Sequence, residues 1–391
     1  MTRRQNALPV FLAFLAMGFG DAVGPFVGLA RQQFELSNFM AQMVPLAGFA
    51  MFGLFSIPMG LYQDRKGKKF ILLLGLAIML AGMLIPSAMG LTTFPVFLFT
   101  ILLLGAGATT LQVAGNPVMR DVSPEGKYAR NLSLGQFVKA IGSLSGPLIP
   151  VIADRVSGKS WRVIFPIYAV ALAITLICVF SLRLEEQEAS DRKPATFGSA
   201  LALLKDGYVA MMVLGIFLYV GAEVCVSSGI PLYLQDRFGL DINRVGLLGT
   251  GLFFLALTIG RFSGGVILNW LKAGTFFLIT CAVSVLGLLC IFAPSRTVAT
   301  LGFVLIGLGF ANIFPLIFAT TVEHMPQEAN ALSGLMVTAI VGGAILPPIM
   351  GFLADKLHST QLAFLVPLAA ILYICVVAVA SRKPQMAKAA A

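Results

Sequence analysis

Of the 391 residues, 58% are apolar and 11% are charged, and the mean hydropathy is +0.92. A soluble domain carries about a quarter charged residues, so water is not the main solvent of this chain. The formal net charge of +10 is therefore read by position along the chain, and no nucleic-acid partner is expected.

About 20 helical residues cross a hydrocarbon core, and stretches of that length and apolarity recur along the chain. In chain order the predicted spans are 8–30, 38–62, 70–90, 95–119, 131–153, 162–182, 207–235, 245–270, 275–293, 298–322, 332–354 and 361–381. They read as helices because they are continuously apolar, whereas barrel strands alternate two faces over about 10 residues. The first span follows Arg3 and Arg4 with no small-residue cleavage site, and is expected to be a retained helix. With both ends placed inside, cytoplasmic segments hold 17 of the 27 Lys and Arg, outside segments hold eight, and Lys139 and Arg261 lie within spans. The positive-inside rule thus predicts cytoplasmic N and C termini. All five Cys lie in apolar spans and are expected to be inert core thiols.

The longest polar run surrounds Pro194 and separates six spans from six, which predicts a bundle at 1–183, a cytoplasmic linker at 184–206 and a second bundle with a short tail at 207–391. Sliding one half over the other by 201 to 202 residues superposes Asp21 on Glu223 and the pair Gly105, Gly107 on Gly307, Gly309. It also superposes Gly142 on Gly343, Pro147 on Pro348, and Ala153-Asp154-Arg155 on Ala354-Asp355-Lys356. Six spans preserve membrane orientation, so these are parallel repeats about an axis along the membrane normal.

Charges inside apolar spans are the most informative residues, because each is costly unless it faces protein or a wet cavity. Asp21, Lys139 and Glu223 fall near the middles of the first, fifth and seventh spans, and Arg261 falls towards the cytoplasmic third of the eighth. Asp21 and Glu223 are the proton-coupling candidates, against a static polar role. Lys139 is open between counter-ion to Asp21, ligand for an anionic or hydroxyl-rich solute, and a snorkelling cation. Gln112 and Asn116 share a face of the fourth span, Gln136 lies one turn from Lys139, and Asn312 precedes Pro315. Amides donate and accept, which suits solute hydroxyls, so these five form the substrate-binding candidates; interhelical contact is the alternative for each amide. No P-loop, Walker lysine or metal-ligand spacing is present, so no cofactor, ATP-driven step or enzymatic activity is expected.

After the second span the chain reads Gly60-Leu-Tyr-Gln-Asp64-Arg65-Lys66-Gly67-Lys68-Lys69. This resembles the G-x-x-x-D-R-x-G-R-K signature of the major facilitator superfamily. Gly60 is expected to permit close helix approach, and Gly67 to turn the chain between basic residues facing anionic lipid. The resemblance implies an all-α membrane protein with the major facilitator fold, twelve transmembrane helices in two pseudo-symmetric six-helix bundles. It also implies a gating role for Asp64 and Arg65, with Arg261 as a further gate candidate.

Shorter stretches are similar to the bacterial fucose and glucose/galactose permease family of proton-coupled sugar symporters. They are Leu36-Ser37-Asn38-Phe39, Ala114-Gly115-Asn116-Pro117, Tyr219-Val220-Gly221-Ala222-Glu223, Ile259-Gly260-Arg261-Phe262, Phe314 to Phe318 and Ile340 to Ala344. The resemblance implies proton-coupled symport of a sugar by a monomer, embedded in the lipid of the bacterial inner membrane. This chain departs from the family in that Gln112 stands where the family has a Glu, Gly24 where it has an Asp, and Lys139 where it has an amide. A lost carboxylate and an added cation shift the site towards an anionic solute such as a sugar acid, with a neutral sugar as the alternative. An exporter of the same fold, a sodium-driven symporter and a non-transporting receptor remain open rivals.

Overall fold

The computed structural model describes residues 8–21, 23–122, 128–157, 161–182, 197–242, 247–268, 270–325 and 328–381. The described residues form helices joined by short turns, with no strand among them. α1 (Leu8–Asp21) and α2 (Val23–Phe34) form the first span, and α3 (Asn38–Ala41) and α4 (Met43–Lys66) the second. α5 (Lys68–Met89), α6 (Phe94–Val122), α7 (Tyr128–Ser157) and α8 (Ile164–Phe180) are spans three to six. After α9 (Phe197–Ala202) come α10 (Gly207–Phe238), α11 (Leu247–Ile267) and α12 (Ala273–Cys290), spans seven to nine. α13 (Arg296–Phe310) with α14 (Ile313–His324), α15 (Ala329–Thr338) with α16 (Gly342–Leu357), and α17 (Thr360–Ala363) with α18 (Leu365–Ala380) complete the set.

Eleven of the twelve predicted spans are long and apolar enough to cross a membrane; the eighth is represented by the shorter apolar stretch Leu248–Gly264 within α11. Much of the predicted linker, residues 183–196, lies outside the described residues, as do 1–7 and 382–391. The five Cys are free thiols.

Two compact units make up the chain, residues 1–26 with 47–194 and residues 27–46 with 195–391. The division follows the repeat except for segment 27–46, which groups with the second half. Side chains explain why. Asp355 near the end of α16 accepts hydrogen bonds from the backbone N–H groups of Asn38 and Phe39, at 3.0 and 2.8 Å, and from Asn38 Nδ2 at 2.8 Å. A carboxylate thus caps the first turn of α3 from a distant element, where the orphan N–H groups and the positive end of the helix dipole favour an anion. Arg31 at the end of α2 pairs with Asp236 near the end of α10 at 3.0 Å.

In the first unit, α5 and α6 lie backbone to backbone, since a Cβ at Gly75 would stand 2.9 Å from the Gly107 carbonyl oxygen. In the second, α12 and α13 do the same: a Cβ at Gly287 would stand 2.8 Å from the Gly302 carbonyl oxygen, and one at Gly302 2.7 Å from that of Gly287. Without a hydrophobic drive between helices in lipid, such small-residue contacts carry association through van der Waals packing.

Asp206 caps α10 by accepting from the N–H groups of Tyr208 and Val209 at 2.8 and 3.0 Å, and its other oxygen lies 3.6 Å from His324 Nε2 on α14. The Val209 N–H holds its carboxyl below the usual carboxylate range; partial burial opposes this, and Tyr208 and His324 add to it. A lowered native value favours the folded state above the unfolded value of about 3.9, and that contribution is lost as pH falls through the lowered native value. Asp206→Ala should therefore lower the thermal midpoint in detergent at pH 7, and the gap to wild type should close as the buffer is taken below about pH 4. Asp355→Ala should cost about 1–2 kcal/mol by uncapping α3, with Asp355→Asn keeping part of it, read from the same melts.

Candidate functional site

α1 crosses α7 at a point made by two glycines. A Cβ on Gly18 would strike the Lys139 carbonyl oxygen, and one on Gly142 would strike that of Leu15. This close approach brings the intramembrane charges of the two helices together. Lys139 Nζ lies 3.3 Å from Asp21 Oδ2, with side chains only 12% and 23% exposed respectively. The same ammonium donates to Gln112 Oε1 on α6 at 3.3 Å. Ser143, one turn beyond Lys139, donates to Asp21 Oδ2 at 2.9 Å and also has the Lys139 carbonyl oxygen at 3.2 Å. Asp21, Gln112, Lys139 and Ser143 thus form one polar cluster in the first unit. Beside it Phe19 stacks on Tyr168 of α8 at a centroid distance of 4.0 Å, and the Tyr168 hydroxyl is 2.8 Å from Ser145 Oγ.

The second unit repeats the plan with different residues. Glu223 on α10 pairs with Arg261 on α11 at 3.5 Å, with side chains 18% and 20% exposed. Tyr219, one turn before Glu223, is fully buried, with its hydroxyl beside both charges and donating to the Phe310 carbonyl at 3.0 Å. α10 meets the start of α16 through glycine, as α1 meets α7: a Cβ on Gly342 would strike the Phe217 carbonyl oxygen. The position equivalent to Lys139 is the apolar Ile340, so the counter-charge in this half comes from the eighth span and not from the eleventh, which corresponds to the fifth.

Not every candidate joins these clusters. Gln136 is half-buried on α7, one turn before Lys139. Asn312 is 6% exposed, with Nδ2 donating to the Gly260 carbonyl at 2.9 Å and its amide packed where a Cβ on Gly264 would stand. Its amide joins α11 to the tenth span beside Arg261. Arg261, the further gate candidate, pairs with Glu223 at 3.5 Å. The side chains of Asn116 and Asp64 lie outside the described residues, though both backbones are helical. Arg65 is exposed in the last turn of α4, where a cation complements the helix dipole. Gly67 has φ +86° and turns the chain into α5, as the signature requires. At Gly60, where close helix approach was expected, an added Cβ meets no described atom within 4 Å.

Neither Ser143 nor Tyr219 is among the site residues expected from the sequence. Both were findable, because each stands four residues from a singled-out charge and so on the same helix face.

Glycine-locked apolar helices that carry paired charges in their interior are the architecture of a polytopic membrane transporter. The Major Facilitator Superfamily profile matches residues 10–340, and the chain belongs to that family. It is 27% identical over 360 residues to the glucose/galactose transporter of Brucella abortus, covering 88% of this chain and 86% of that one. It is 25% identical over 377 residues to the L-fucose-proton symporter of Escherichia coli, covering 86% and 84%. The crystal structure of the E. coli fucose:proton symporter matches the fold with a TM-score of 0.69 at 20% identity, over 97% of this chain and 99% of that one.

Gly142→Ala should force α1 from α7 and cost about 1–3 kcal/mol by overpacking. The expected result is a lowered thermal midpoint together with impaired uptake in vesicles.

Proposed function

We propose that this chain is a proton-coupled symporter of a sugar or sugar-like solute, working as a monomer by alternating access in the bacterial inner membrane, with both termini cytoplasmic. The observation that carries the reading is a pair of intramembrane carboxylates, Asp21 and Glu223, at equivalent places in the two halves. Each lies within 3.3 to 3.5 Å of a cation from another helix. A proton added to either carboxylate cancels the charge that pairs it with its cation, so proton occupancy changes the contacts between helices. The named relatives, which transport glucose and galactose or fucose with a proton, support the solute class.

Gln112, Gln136 and the Lys139 cluster are the solute contacts in this reading, and Asn116 is kept with them on the strength of its shared face with Gln112. Asp64 and Arg65 keep the cytoplasmic gating role. One pH unit across the membrane is worth about tenfold accumulation per proton carried, which is adequate for nutrient uptake.

In proteoliposomes, an alkaline-inside pH gradient should drive accumulation by wild type of a panel of neutral sugars and sugar acids. Asp21→Asn should reduce it to equilibration of the solute, and Glu223→Gln reads whether the second carboxylate also carries a proton. Gradient-dependent accumulation of parental size in both variants would sink the coupling assignment.

A further inference from the structure

Resting on the symport reading above, we infer that the Asp21, Lys139, Ser143 and Gln112 cluster takes a sugar acid, and that its carboxylate enters with one proton in an electroneutral step. When Asp21 is ionised, the cluster is balanced: one carboxylate, one ammonium 3.3 Å away, and the neutral Gln112 and Ser143. Lys139 then has Asp21 as its counter-charge and donates one N–H to Gln112, and an ammonium with three N–H donors keeps capacity for a ligand.

The consequence of adding a proton to Asp21 falls on one residue only. Ser143 has a second acceptor, the Lys139 carbonyl at 3.2 Å, to which it turns its hydrogen while accepting one from the new Asp21 hydroxyl. Asp21 and Ser143 thus stay satisfied. Lys139 does not, because its remaining neighbour Gln112 is neutral and its side chain is 12% exposed. An uncompensated charge in that setting is the costly outcome of breaking a buried pair. A solute carboxylate on the Lys139 ammonium removes the cost, so proton and anion each favour binding of the other.

Among the described residues of the first unit, the helices packed around the cluster supply no other charge for this role. α7 offers Lys139 itself, α8 the Tyr168 hydroxyl bound to Ser145, and α6 only the Gln112 amide at this level. α5 has its charges, Lys68 and Lys69, in its first turn. The second half lacks the switch, since the positions matching Ser143 are Ala344 and Ile345.

The charge balance makes the inference testable. The site holds net zero charge with Asp21 ionised and empty, and net zero with Asp21 protonated and a monoanion on Lys139. Each cycle therefore carries no net charge. A neutral sugar with a proton would carry one positive charge, which a 100 mV inside-negative potential turns into about 50-fold accumulation.

The experiment uses full-length protein in proteoliposomes with potassium and valinomycin setting the potential. The probes are D-glucuronate, D-galacturonate and D-gluconate against D-glucose, D-galactose and L-fucose. A pH gradient at clamped zero potential is expected to accumulate at least one acid about tenfold per pH unit. Adding 100 mV inside negative should leave that accumulation unchanged within twofold. Lys139→Gln should abolish acid uptake and Lys139→Arg should restore part of it. Gradient-driven uptake of neutral sugars alone, strengthened by the potential, overturns this inference and leaves the symport reading standing. No gradient-driven uptake of any probe overturns both. The potential dependence is read on the wild type, so it decides even where Lys139→Gln fails to fold.

Discussion

Placing an ionised group inside an apolar helix is the constraint on which the arrangement of both units turns. A charge at the bilayer centre costs several kcal/mol unless something compensates it, and here the compensation is a partner charge from a neighbouring helix. Asp21 and Lys139 meet because Gly18 and Gly142 let α1 and α7 approach to backbone contact. Any Cβ at those two positions would push the helices apart and leave both charges stranded. The glycines and the ion pair thus belong to one device, in which close packing makes the charges tolerable.

The second half meets the same constraint by another route. Glu223 keeps the carboxylate of the repeat, yet its cation is Arg261 from the eighth span. Arg261 is permanently charged and is set beside the buried Tyr219, while Asn312 joins α11 to the tenth span at Gly260, the residue before Arg261. Lys139 has softer surroundings: a neutral amide, and a serine with a choice of acceptors. The two halves carry carboxylates at matching positions with unequal partners. That inequality is the physical basis for assigning proton and solute binding to one cluster in the first unit.

Segment 27–46 illustrates a different kind of divergence between chain order and packing. Hydropathy places it in the first and second spans, but Asp355 caps α3 and Asp236 pairs with Arg31, so it groups with residues of the second half. Capping from a distant element stabilises the four-residue α3, which has Ser37 as its only local side-chain cap. Long-range contacts of this kind leave no periodic trace in the chain.

Much of the protein was legible from the order of its residues alone. Span number and type follow from apolar length, because a lipid-exposed backbone has to satisfy its hydrogen bonds within one helix. The duplication, the matched pair Asp21 and Glu223, and the turn at Gly67 follow from spacing and from a backbone angle that favours glycine. Only the tertiary structure decided which charges meet. Lys139 had three open roles in the sequence, Arg261 was expected at a gate and Asn312 at the solute, since spacing reports which face of its own helix a residue occupies and not which helix lies opposite. Glycine contacts and helix crossings settle that second question, and they tie Lys139 to Asp21, Arg261 to Glu223 and Asn312 to the backbone of α11.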